Sequence, residues 1–577
     1  MEVLAVSAGQ PKFQDVNGTK MYTSIVHEDV RTLPSEYMEV DESGIVGNAV
    51  AVHDGPIYVV FEDHYDYWCK ELGIDRSSWN WGHWGENLTV RFRDAVKLED
   101  QIHIGDIWSI GETVRLQVCG VRVPCMKLSW RCGQKDSWLP TLVKSGRTGV
   151  YLRVLSGGKV HPGDDVSYEV STGDPLNVAA IVKIAFDMSL KTRDTMNLIM
   201  DHPLMMRMNK WHFGRMLTTM EDKEREGKNA WRGFRDLCVR NIVDEGGDIK
   251  SFYLAPTDGQ PLANFFPGQF LTIRLANDVT RNWTISDYQT RDRPEYYRIS
   301  VKKSGIASTW MHAKCAPGSV LSARSPAGRF FIDRTSILRV IYISAGIGIT
   351  PILAMMKGHA NHPNMDCQPV VWLHIARDGK HFPFQDEIPS FEKSPAFRRF
   401  VFFTNPRPED VKGVNYDREG RPDKATLEEI LGAPFTWSPL GAGRMESEAN
   451  FSTVYMCGPT KFETEIRETL KRLGFPEPLI RSESFSASGA ASGDVERATV
   501  RFSKSKVTGT WTKDKPVSLL ELAESLGLAP DFGCRSGACG SCATRITCGS
   551  VSSGMQADGT VLTCSAAPAS EDVELEL

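Results

Sequence analysis

Long apolar runs are missing from this chain of 577 residues. No segment approaches the roughly 18 consecutive apolar residues that a membrane-spanning helix needs, so we expect no membrane association. The opening residues, Met-Glu-Val-Leu-Ala-Val, lack the basic start and apolar stretch of a signal peptide. Long basic runs are missing too, and the net charge is only −5, which argues against nucleic acid as a partner.

The thirteen cysteines form no even framework of close spacings, and the paired C-x2-C knuckles of a zinc site are missing. Scattered single thiols are typical of a reducing compartment, so we expect a cytoplasmic protein. The chain is far too long for one core, and a prior of about 150 residues per domain predicts roughly three to five domains.

Four cysteines near the C-terminus do share a pattern. Cys534, Cys539, Cys542 and Cys564 follow the spacing C-x4-C-x2-C…C, which holds a plant-type 2Fe-2S cluster. The surrounding run, Phe-Gly-Cys-Arg-Ser-Gly-Ala-Cys-Gly-Ser-Cys, is rich in small residues that let a tight loop fold around iron. These four thiols are therefore predicted metal ligands, and the chain is predicted to move single electrons.

Changes in hydrophobic period divide the chain into five parts. Alternating strands mark two segments, helical spacing marks the segment between them, and buried strands interleaved with helices mark the fourth. A charged stretch at 221–229 and a Ser-Ala-Gly-rich stretch at 486–493 are predicted linkers. The predicted domains are a β-barrel at 1–172, a small helical module at 173–225, a second barrel at 231–335, an α/β domain at 336–486 and an iron–sulfur module at 497–577.

The hexapeptide Arg281-Asn-Trp-Thr-Ile-Ser286 lies in the second barrel segment. An arginine can neutralise a flavin phosphate, an aromatic ring can lie against the isoalloxazine, and a hydroxyl can hydrogen-bond the flavin N5. The hexapeptide resembles the R-x-[YFW]-[ST]-x-[SA] signature of the ferredoxin-NADP reductase superfamily, its flavohaemoglobin branch most of all. The resemblance implies flavin contacts from Arg281, Trp283, Thr284 and Ser286.

Later segments match the same superfamily in the expected order. Gly305-Ile-Ala-Ser308 and Ser325-Pro-Ala-Gly-Arg-Phe330 match its phosphate and ring contacts. Within 344–351 a strand ends in a glycine-rich turn, where N–H groups and a helix N-terminus can hold the pyrophosphate of NAD(P)H. Two further matches are the C-G-P element at 457–459 and the aromatic that covers the flavin. The implied cofactor-binding residues are Gly305, Ser308, Phe330, Gly346, Gly348, Thr350, Cys457, Gly458, Pro459 and Phe485.

The exact cofactors stay open at this point. The Pro-Ala-Gly-x-Phe form is similar to the FAD-binding flavohaemoglobin type, whereas a C-terminal ferredoxin is similar to the FMN-binding phthalate dioxygenase reductase type. We favour FAD over FMN. The choice of NADH or NADPH depends on charges after the strand that ends near Arg377, and one arginine does not decide it.

The N-terminal segment resembles the MOSC domain of the molybdenum cofactor sulfurase and the amidoxime-reducing component. The matching elements are Gly44-Ile-Val-Gly47, Gly85-Glu-Asn87, His103-Ile-Gly-Asp106, Arg122-Val-Pro-Cys-Met-Lys-Leu128 and Gly146-Arg-Thr-Gly149. The helical module that follows matches a three-helix domain of one bacterial subgroup. The resemblance implies that Cys125 ligates molybdenum and is the catalytic residue, which suits a soft thiolate. Lys127, Arg131, Arg147 and Arg153 are the expected ligands of the pterin phosphate.

Two details depart from the MOSC pattern. The His-Gly-Gly element of the bacterial subgroup is His53-Asp54-Gly55 here, and Asn48 follows G-x-x-G where an acidic residue is usual. Three tryptophans at 79, 81 and 84 could line a pocket for a flat substrate, cover the barrel or form the contact of a homodimer.

The expected fold class is multidomain: a MOSC β-barrel with a helical module, a reductase-type barrel, an α/β nucleotide-binding domain and a β-grasp ferredoxin. The expected activity is that of a self-sufficient oxidoreductase, with electrons passing from NAD(P)H to flavin, to 2Fe-2S and to the molybdenum cofactor. By resemblance, its small-molecule substrates are N-hydroxylated compounds such as hydroxylamines and amidoximes, or N-oxides. The alternative is an electron-transfer reductase that serves a separate oxygenase, with MOSC as a cofactor- or partner-binding module.

Overall fold

A computed structural model describes most of the chain as a series of separately cored modules. It describes every residue except 11, 18, 30–35, 47–54, 93–98, 172–175, 276–278, 290–293, 337, 361–367, 438–444, 484, 486–494, 533–536, 538–539 and 557. The described residues form two compact units, Met1–Glu221 with Pro434–Ser447, and Asp222–Ala433 with Glu448–Leu577.

The N-terminal module is built on an eight-stranded sheet in the order β13-β9-β10-β11-β7-β8-β1-β4. A bridge between Glu2 and Asp165 joins β1 to the start of β13 and closes the sheet into a barrel. The strands are β1 Glu2–Ala8, β2 Lys12–Val16, β3 Thr19–Thr23, β4 Glu28–Asp29, β5 Met38–Asp41, β6 Gly44–Ile45, β7 Ile57–Phe61, β8 Leu88–Arg91, β9 Ile107–Ile110, β10 Val114–Val121, β11 Val150–Ser156, β12 Gly158–Val160 and β13 Val166–Glu169.

In the described part of this module, three short helices lie between the strands of the barrel and three more helices follow its last strand. The first set is α1 Glu62–Leu72, α2 Met126–Arg131 and α3 Leu139–Ser145, and the second is α4 Val178–Phe186, α5 Arg193–Asp201 and α6 Arg207–Arg225. The prediction of a linker at 221–229 was wrong for its first five residues, because α6 continues to Arg225. Lys, Glu and Arg are strong helix formers, so loss of the apolar period does not end a helix.

The second barrel contains six antiparallel strands in the order β17-β16-β19-β14-β15-β18. An Ile285–Ile299 bridge connects the two end strands and closes it. Its elements are β14 Arg235–Gly246, β15 Ile249–Pro256, β16 Phe270–Arg274, β17 Thr280–Thr284, β18 Tyr297–Lys302, α7 Ile306–Lys314 and β19 Val320–Ala323.

A parallel six-stranded sheet follows, in the order β23-β22-β21-β20-β26-β27. Its central strands are fully buried apolar runs, as expected for strands covered by helices on both faces. The elements are β20 Arg339–Ala345, α8 Ile349–Ala360, β21 Val370–Ala376, β22 Phe397–Phe403, β23 Arg418–Glu419, α9 Lys424–Leu431, β24 Phe435–Trp437, β25 Met445–Ser447, β26 Ser452–Cys457, α10 Thr460–Arg472 and β27 Ile480–Glu483. β24 and β25 form a separate hairpin.

The C-terminal module has five strands in the order β29-β28-β32-β30-β31, with β28 and β32 parallel. Its elements are β28 Arg497–Phe502, β29 Val507–Thr512, α11 Leu519–Ser525, β30 Ala543–Cys548, β31 Thr560–Leu562 and β32 Asp572–Leu575. One helix packed on a small mixed sheet is consistent with the predicted β-grasp. The multidomain fold class predicted from the sequence is therefore confirmed.

No helix in the described part of the chain is both long and apolar enough to cross a bilayer.

Candidate functional site

The hexapeptide predicted to bind flavin, residues 281–286, lies on β17 and on the two residues that follow it. Arg281 is exposed and Trp283 is half-buried, so both can meet a ligand outside the barrel. Thr284 is buried, and its Oγ1 has no hydrogen-bond partner among the described residues. A buried hydroxyl without a partner costs free energy, which a bound acceptor would recover. The strand therefore fits a flavin that hydrogen-bonds Thr284.

The N-terminus of α7 is the predicted phosphate-binding end of this site. The Ser308 hydroxyl accepts hydrogen bonds from the backbone N–H groups of Ser304 and Gly305, both at 2.9 Å, and so fixes the first turn. A Cβ placed on Gly305 would meet open space, and Ile306 beside it is 85% exposed. The positive end of the helix is thus accessible to a phosphate.

Two other predicted flavin residues lie inside the protein. Ser286 is fully buried, and its hydroxyl lies 2.7 Å from Ser300 Oγ and accepts from Arg298 Nε at 3.1 Å. Arg298 also pairs with Glu387 of the parallel-sheet domain at 2.5 Å. Phe330 is buried and packs with Tyr455 in the core of that domain. Ser286 and Phe330 therefore join the barrel to the parallel-sheet domain, and their direct contact with flavin stays a prediction.

The glycine-rich turn connects β20 to α8. Gly346 adopts φ 54°, the left-handed region that favours glycine, and a Cβ there would meet open space. At Gly348 a Cβ would overlap the Cys457 carbonyl, so glycine lets the turn pack against β26. The Thr350 hydroxyl donates to the Ile347 carbonyl at 2.9 Å and closes the turn. This arrangement leaves space for a dinucleotide pyrophosphate at the carboxyl edge of the sheet.

The parallel register places three strand ends at the same edge. Ser344 lies opposite Cys457, and Cys457 lies opposite Glu483. Cys457 is fully buried, and burial raises the pKa of its thiol well above the usual range. Beyond Glu483, Phe485 is 48% exposed, and its contact with flavin stays a prediction.

The C-G-P element continues into α10. The Gly458 N–H donates to Glu463 at 3.3 Å, and burial raises the pKa of this carboxyl to about 7. A Cβ on Gly458 would contact the Phe462 ring at 2.7 Å, so glycine is required for this turn. Pro459 is the N-cap residue of the helix. Together these contacts fix the direction of the chain beside the expected nicotinamide position.

In the N-terminal barrel, Cys125 is exposed immediately before α2. Arg122 lies at the end of β10, stacks on the Tyr58 ring at 4.9 Å and donates to the Tyr151 hydroxyl at 2.8 Å. Burial opposes its charge, but Tyr151, Tyr58 and Cys125 raise the pKa of Arg122. Burial lowers the pKa of Lys127, and the neighbouring Cys125 opposes that shift. A thiol between two cationic side chains fits an anionic, thiolate-bound cofactor.

Arg131 extends this cationic region, and two histidines that are neutral near pH 7 lie close to it. Burial and the nearby Arg131 charge lower the pKa of His83 to about 4. Burial and the charges of Arg122 and Arg131 also lower the pKa of His27 to about 4. Arg131 Nε and His83 Nε2 are buried without a hydrogen-bond partner in the described part of the chain. Such donors fit a polar ligand, and pterin phosphate is the predicted one.

Arg147 and Arg153 make protein contacts. Arg147 lies 3.3 Å from Asp63 and 4.2 Å from the centre of the Tyr67 ring. Arg153 donates to the Leu204 carbonyl at 2.8 Å and so connects the barrel to the helical module. The predicted phosphate roles of both residues stay predictions.

The tryptophans at 79 and 84 are buried in an aromatic cluster with Tyr65, whereas Trp81 is partly buried under Arg76. Buried Glu86 accepts the Tyr65 hydroxyl at 2.5 Å and the backbone N–H groups of 82 and 84, which holds this loop. Trp79 and Trp84 therefore cover the barrel in this structure. Residues 47–54, where the MOSC pattern departs, lie outside the described residues.

Two of the four predicted iron ligands are described, Cys542 and Cys564. Both are buried beside Leu520 and Leu562, and the Gly537 N–H donates to Cys564 Sγ at 3.2 Å. An N–H pointing at a thiolate sulfur is typical of iron–sulfur loops. Cys534 and Cys539 lie outside the described residues.

Comparison with known families assigns three parts of the chain. The MOSC domain matches residues 42–167, the oxidoreductase NAD-binding domain matches 342–468, and the 2Fe-2S iron-sulfur cluster binding domain matches 505–569. The chain is a fusion of a MOSC domain with an NAD-binding oxidoreductase and a 2Fe-2S domain. This fusion was predicted from the sequence and is confirmed.

Flavohemoproteins are similar to a little under half of the chain. A flavohemoprotein of Deinococcus radiodurans is 34% identical over 264 residues, which are 45% of this chain and 61% of the relative. A flavohemoprotein of Bacillus subtilis is 28% identical over 271 residues, 46% of this chain and 63% of the relative. The fusion thus spans about three fifths of the length of these relatives.

Among solved structures, phthalate dioxygenase reductase is 22% identical to this chain, with a TM-score of 0.39. The alignment covers 60% of this chain and 98% of the other. The flavohem-like FAD/NAD binding domain of a Vibrio cholerae nitric oxide dioxygenase is 24% identical, with a TM-score of 0.36 over 44% of this chain and 99% of the other. The domain matches support a NAD(P)H-dependent oxidoreductase with flavin and a 2Fe-2S cluster.

Sequence reasoning missed several candidates in the fusion. Arg122 belongs to the quoted R-x-P-C element, so its position before Cys125 was an available signal. His83 and His27 have no motif of their own, and only the fold brings them near Arg131. Glu463 lies five residues after Gly458, at a spacing that the C-G-P motif does not include.

Proposed function

We propose that this oxidoreductase is a self-sufficient reductase of N-hydroxylated compounds, with the MOSC barrel as its substrate-reducing end. Bound NAD(P)H would supply a hydride, and bound flavin would pass its two electrons on one at a time. The 2Fe-2S cluster would relay single electrons, and the molybdenum cofactor would supply the chemistry that removes the oxygen atom. A hydroxylamine plus two electrons and two protons gives an amine and water. A MOSC domain on the same chain as a complete electron supply supports an internal acceptor.

The exposure of Cys125 among cationic groups is the observation that carries this proposal. The thiol lies at the surface of the barrel, whereas Cys119 and Cys132 nearby are buried. Among the described residues Arg122, Lys127 and Arg131 form no ion pair with a carboxylate. Cys125 would hold the metal, Arg122 and Lys127 would offset the negative charge of the bound cofactor, and Arg131 would bind the pterin phosphate.

FAD is our proposed flavin. Arg281 and the exposed start of α7 can both bind phosphate, and two such points suit a dinucleotide better than a monophosphate. The similarity of 45% of the chain to a flavohemoprotein also favours FAD. NADH and NADPH remain equal candidates, because Arg377 is 65% exposed and pairs with Asp378 at 3.8 Å.

A cytoplasmic location also belongs to this proposal. Scattered thiols and a cysteine-bound cluster favour a reducing compartment. The N-hydroxylated substrate is likewise proposed from the MOSC resemblance.

The test compares Cys125→Ser with Cys548→Ser, since Cys548 is also exposed but lies in the 2Fe-2S module. Protein from cells able to make the pterin is assayed for molybdenum, iron and NAD(P)H oxidation driven by benzamidoxime or hydroxylaminopurine. We expect molybdenum at about half the iron content, for one metal beside a two-iron cluster. Cys125→Ser should lose molybdenum and N-hydroxy turnover while ferricyanide reduction stays intact, and Cys548→Ser should retain all three.

Iron and flavin without molybdenum, and no N-hydroxy turnover in the unmodified chain, would refute the proposal. That outcome would favour the electron-transfer reductase for a separate oxygenase, with the MOSC barrel as a binding module.

A further inference from the structure

We infer that Arg324 and Arg329 of the second barrel are positioning residues. They hold the 2Fe-2S domain against this barrel while electrons pass from flavin to the cluster, through a contact that can open. The inference rests on the electron-transfer part of the proposed function and not on its substrate. We call the two interactions, Arg324 with Phe532 and Arg329 with Gln556, the arginine contact.

Arg324 follows β19 and reaches the chain just before the iron–sulfur loop. Its Nη1 donates to the Phe532 carbonyl at 2.8 Å, and its guanidinium lies 4.4 Å from the Phe532 ring centre. Asp531 lies 3.9 Å away and is 95% exposed, so this ion pair is weak. On the barrel side the guanidinium lies 5.1 Å from the Phe234 ring. Arg324 is therefore held between an aromatic ring of each domain.

Arg329 makes the second interaction from the predicted flavin loop 325–330. Its Nη1 donates to Gln556 Oε1 at 3.0 Å. A Cβ on Gly540 would overlap the Arg329 guanidinium, and Gly540 also adopts φ 80°. Gly540 lies two residues before the iron ligand Cys542, so Arg329 brings a flavin-binding loop against the cluster-binding loop. This proximity is what electron transfer between the two groups requires.

The surroundings of the arginine contact indicate that it can be released. In the described part of the chain, the hydrophobic cores of the barrel and of the 2Fe-2S domain are separate clusters. Beside Arg329 lies a cavity of about 480 Å³ that is lined mainly by the second barrel and by residues from the segment 222–230, and the 2Fe-2S domain contributes Gly540 and Ser541 to its wall. Contacts made by a few charged and polar groups around a cavity are screened by salt and are typical of mobile domains.

Two jobs need such a contact. When the contact is closed, it holds the cluster-binding loop beside the flavin site. When the contact is open, the 2Fe-2S domain is free to deliver electrons to another acceptor. A dry apolar interface would perform the first job and prevent the second. The arginine contact is therefore suited to an electron shuttle.

The experiment follows flavin and cluster absorbance by anaerobic stopped-flow after NAD(P)H is mixed with the full chain. Arg324→Gln and Arg329→Gln should each slow cluster reduction about tenfold, because each removes a charge-assisted hydrogen bond. In Arg324→Gln, whose residue lies outside the predicted flavin loop 325–330, flavin reduction and ferricyanide reduction should stay at the unmodified rates. Arg274→Gln is the matched control, since Arg274 also stacks on Phe234, at 4.3 Å, and makes no ion pair with a described 2Fe-2S residue.

Three further measurements separate docking from a structural effect. In the unmodified chain, cluster reduction should slow as ionic strength rises from about 20 to about 500 mM, whereas ferricyanide reduction should not. Hydrogen exchange around residues 528–532 should increase in Arg324→Gln, and Arg324→Lys should restore cluster reduction only in part. Unchanged cluster reduction in both Gln variants, or no salt effect in the unmodified chain, would overturn the inference. Substrate turnover enters none of these readouts, so failure of the molybdenum proposal would leave the test intact.

Discussion

At the scale of single residues, Thr284 presents a buried hydroxyl that has no hydrogen-bond partner among the described residues and lies at the expected position of the flavin N5. Replacement of Thr284 by Val keeps the shape and removes the polar group. We expect the flavin-free protein to become more stable by about 1 kcal/mol, because an unpaired hydroxyl no longer has to be buried. Flavin affinity should fall about fivefold, which corresponds to one lost hydrogen bond.

Thermal unfolding of the flavin-free form and flavin titration measure these opposite effects. Thr280→Val, on the same strand but half-buried, is the control and should change neither quantity by a comparable amount. A less stable flavin-free Thr284→Val would mean that the hydroxyl has a partner in the protein.

Glu463 gives a second residue-scale prediction, this time in pH dependence. Burial raises the pKa of its carboxyl to about 7 from an ordinary value of 4.5, so the folded state holds the proton more tightly than the unfolded state. Stability from this group is therefore complete below about pH 4.5 and declines as the pH rises towards 7. Glu463→Gln keeps a side-chain oxygen for the Gly458 N–H and should remove the decline.

Urea unfolding of the nucleotide-binding domain at pH 5 and pH 7.5 measures the difference. The unmodified chain should lose more stability between these two values than Glu463→Gln does. Exposed Glu465 on the same helix supplies the control, and Glu465→Gln should behave like the unmodified chain. Parallel curves for the Glu463 variant and the unmodified chain would exclude Glu463 as the titrating group.

At the scale of elements, substitutions in the turn between β20 and α8 test how tight packing of the turn affects stability and nucleotide binding. Gly348→Ala should cost about 1–3 kcal/mol, because its Cβ would overlap the Cys457 carbonyl. Gly346→Ala meets open space and should cost only the roughly 1–2 kcal/mol of a left-handed residue. The first variant should lower both stability and NAD(P)H affinity, and the second mainly affinity, because its Cβ points into the predicted pyrophosphate space.

Chemical unfolding and the KM for NAD(P)H distinguish the two glycine variants. Equal losses of stability would show that the turn can move away from β26 without cost.

Element types and motif order were predictable because each depends on local pattern. Apolar runs gave β20 and β21, alternation gave the second barrel, and cysteine spacing gave the iron–sulfur loop. The limits of elements were less predictable, as the continuation of α6 to Arg225 illustrates. The roles of Ser286, Arg147 and Arg153 depend on residues distant in sequence, so no spacing rule reveals that Arg298, Asp63 and Leu204 contact them.

At the scale of the whole molecule, the order of modules places the 2Fe-2S domain after the flavin and nucleotide domains and far from the MOSC barrel in sequence. If one cluster serves both flavin and molybdenum, its domain must travel between them. The Ser-Ala-Gly-rich segment 486–493 was predicted to be the tether, and it lies outside the described residues. Linker length sets the effective concentration of a tethered domain at each site.

Deletion of about half of segment 486–493 should therefore affect the two ends of the electron path unequally. Flavin reduction by NAD(P)H should be unchanged, because neither reactant belongs to the tethered 2Fe-2S domain. Reduction of an N-hydroxy substrate should slow severalfold, because the shortened tether restricts the movement of that domain. Stopped-flow flavin bleaching and steady-state substrate turnover are measured on the same preparation. An insertion of equal length at the same point controls for disturbance of the sequence and should slow turnover far less than the deletion. Equal slowing of both reactions by the deletion would argue against a travelling domain and in favour of electron delivery from one fixed position.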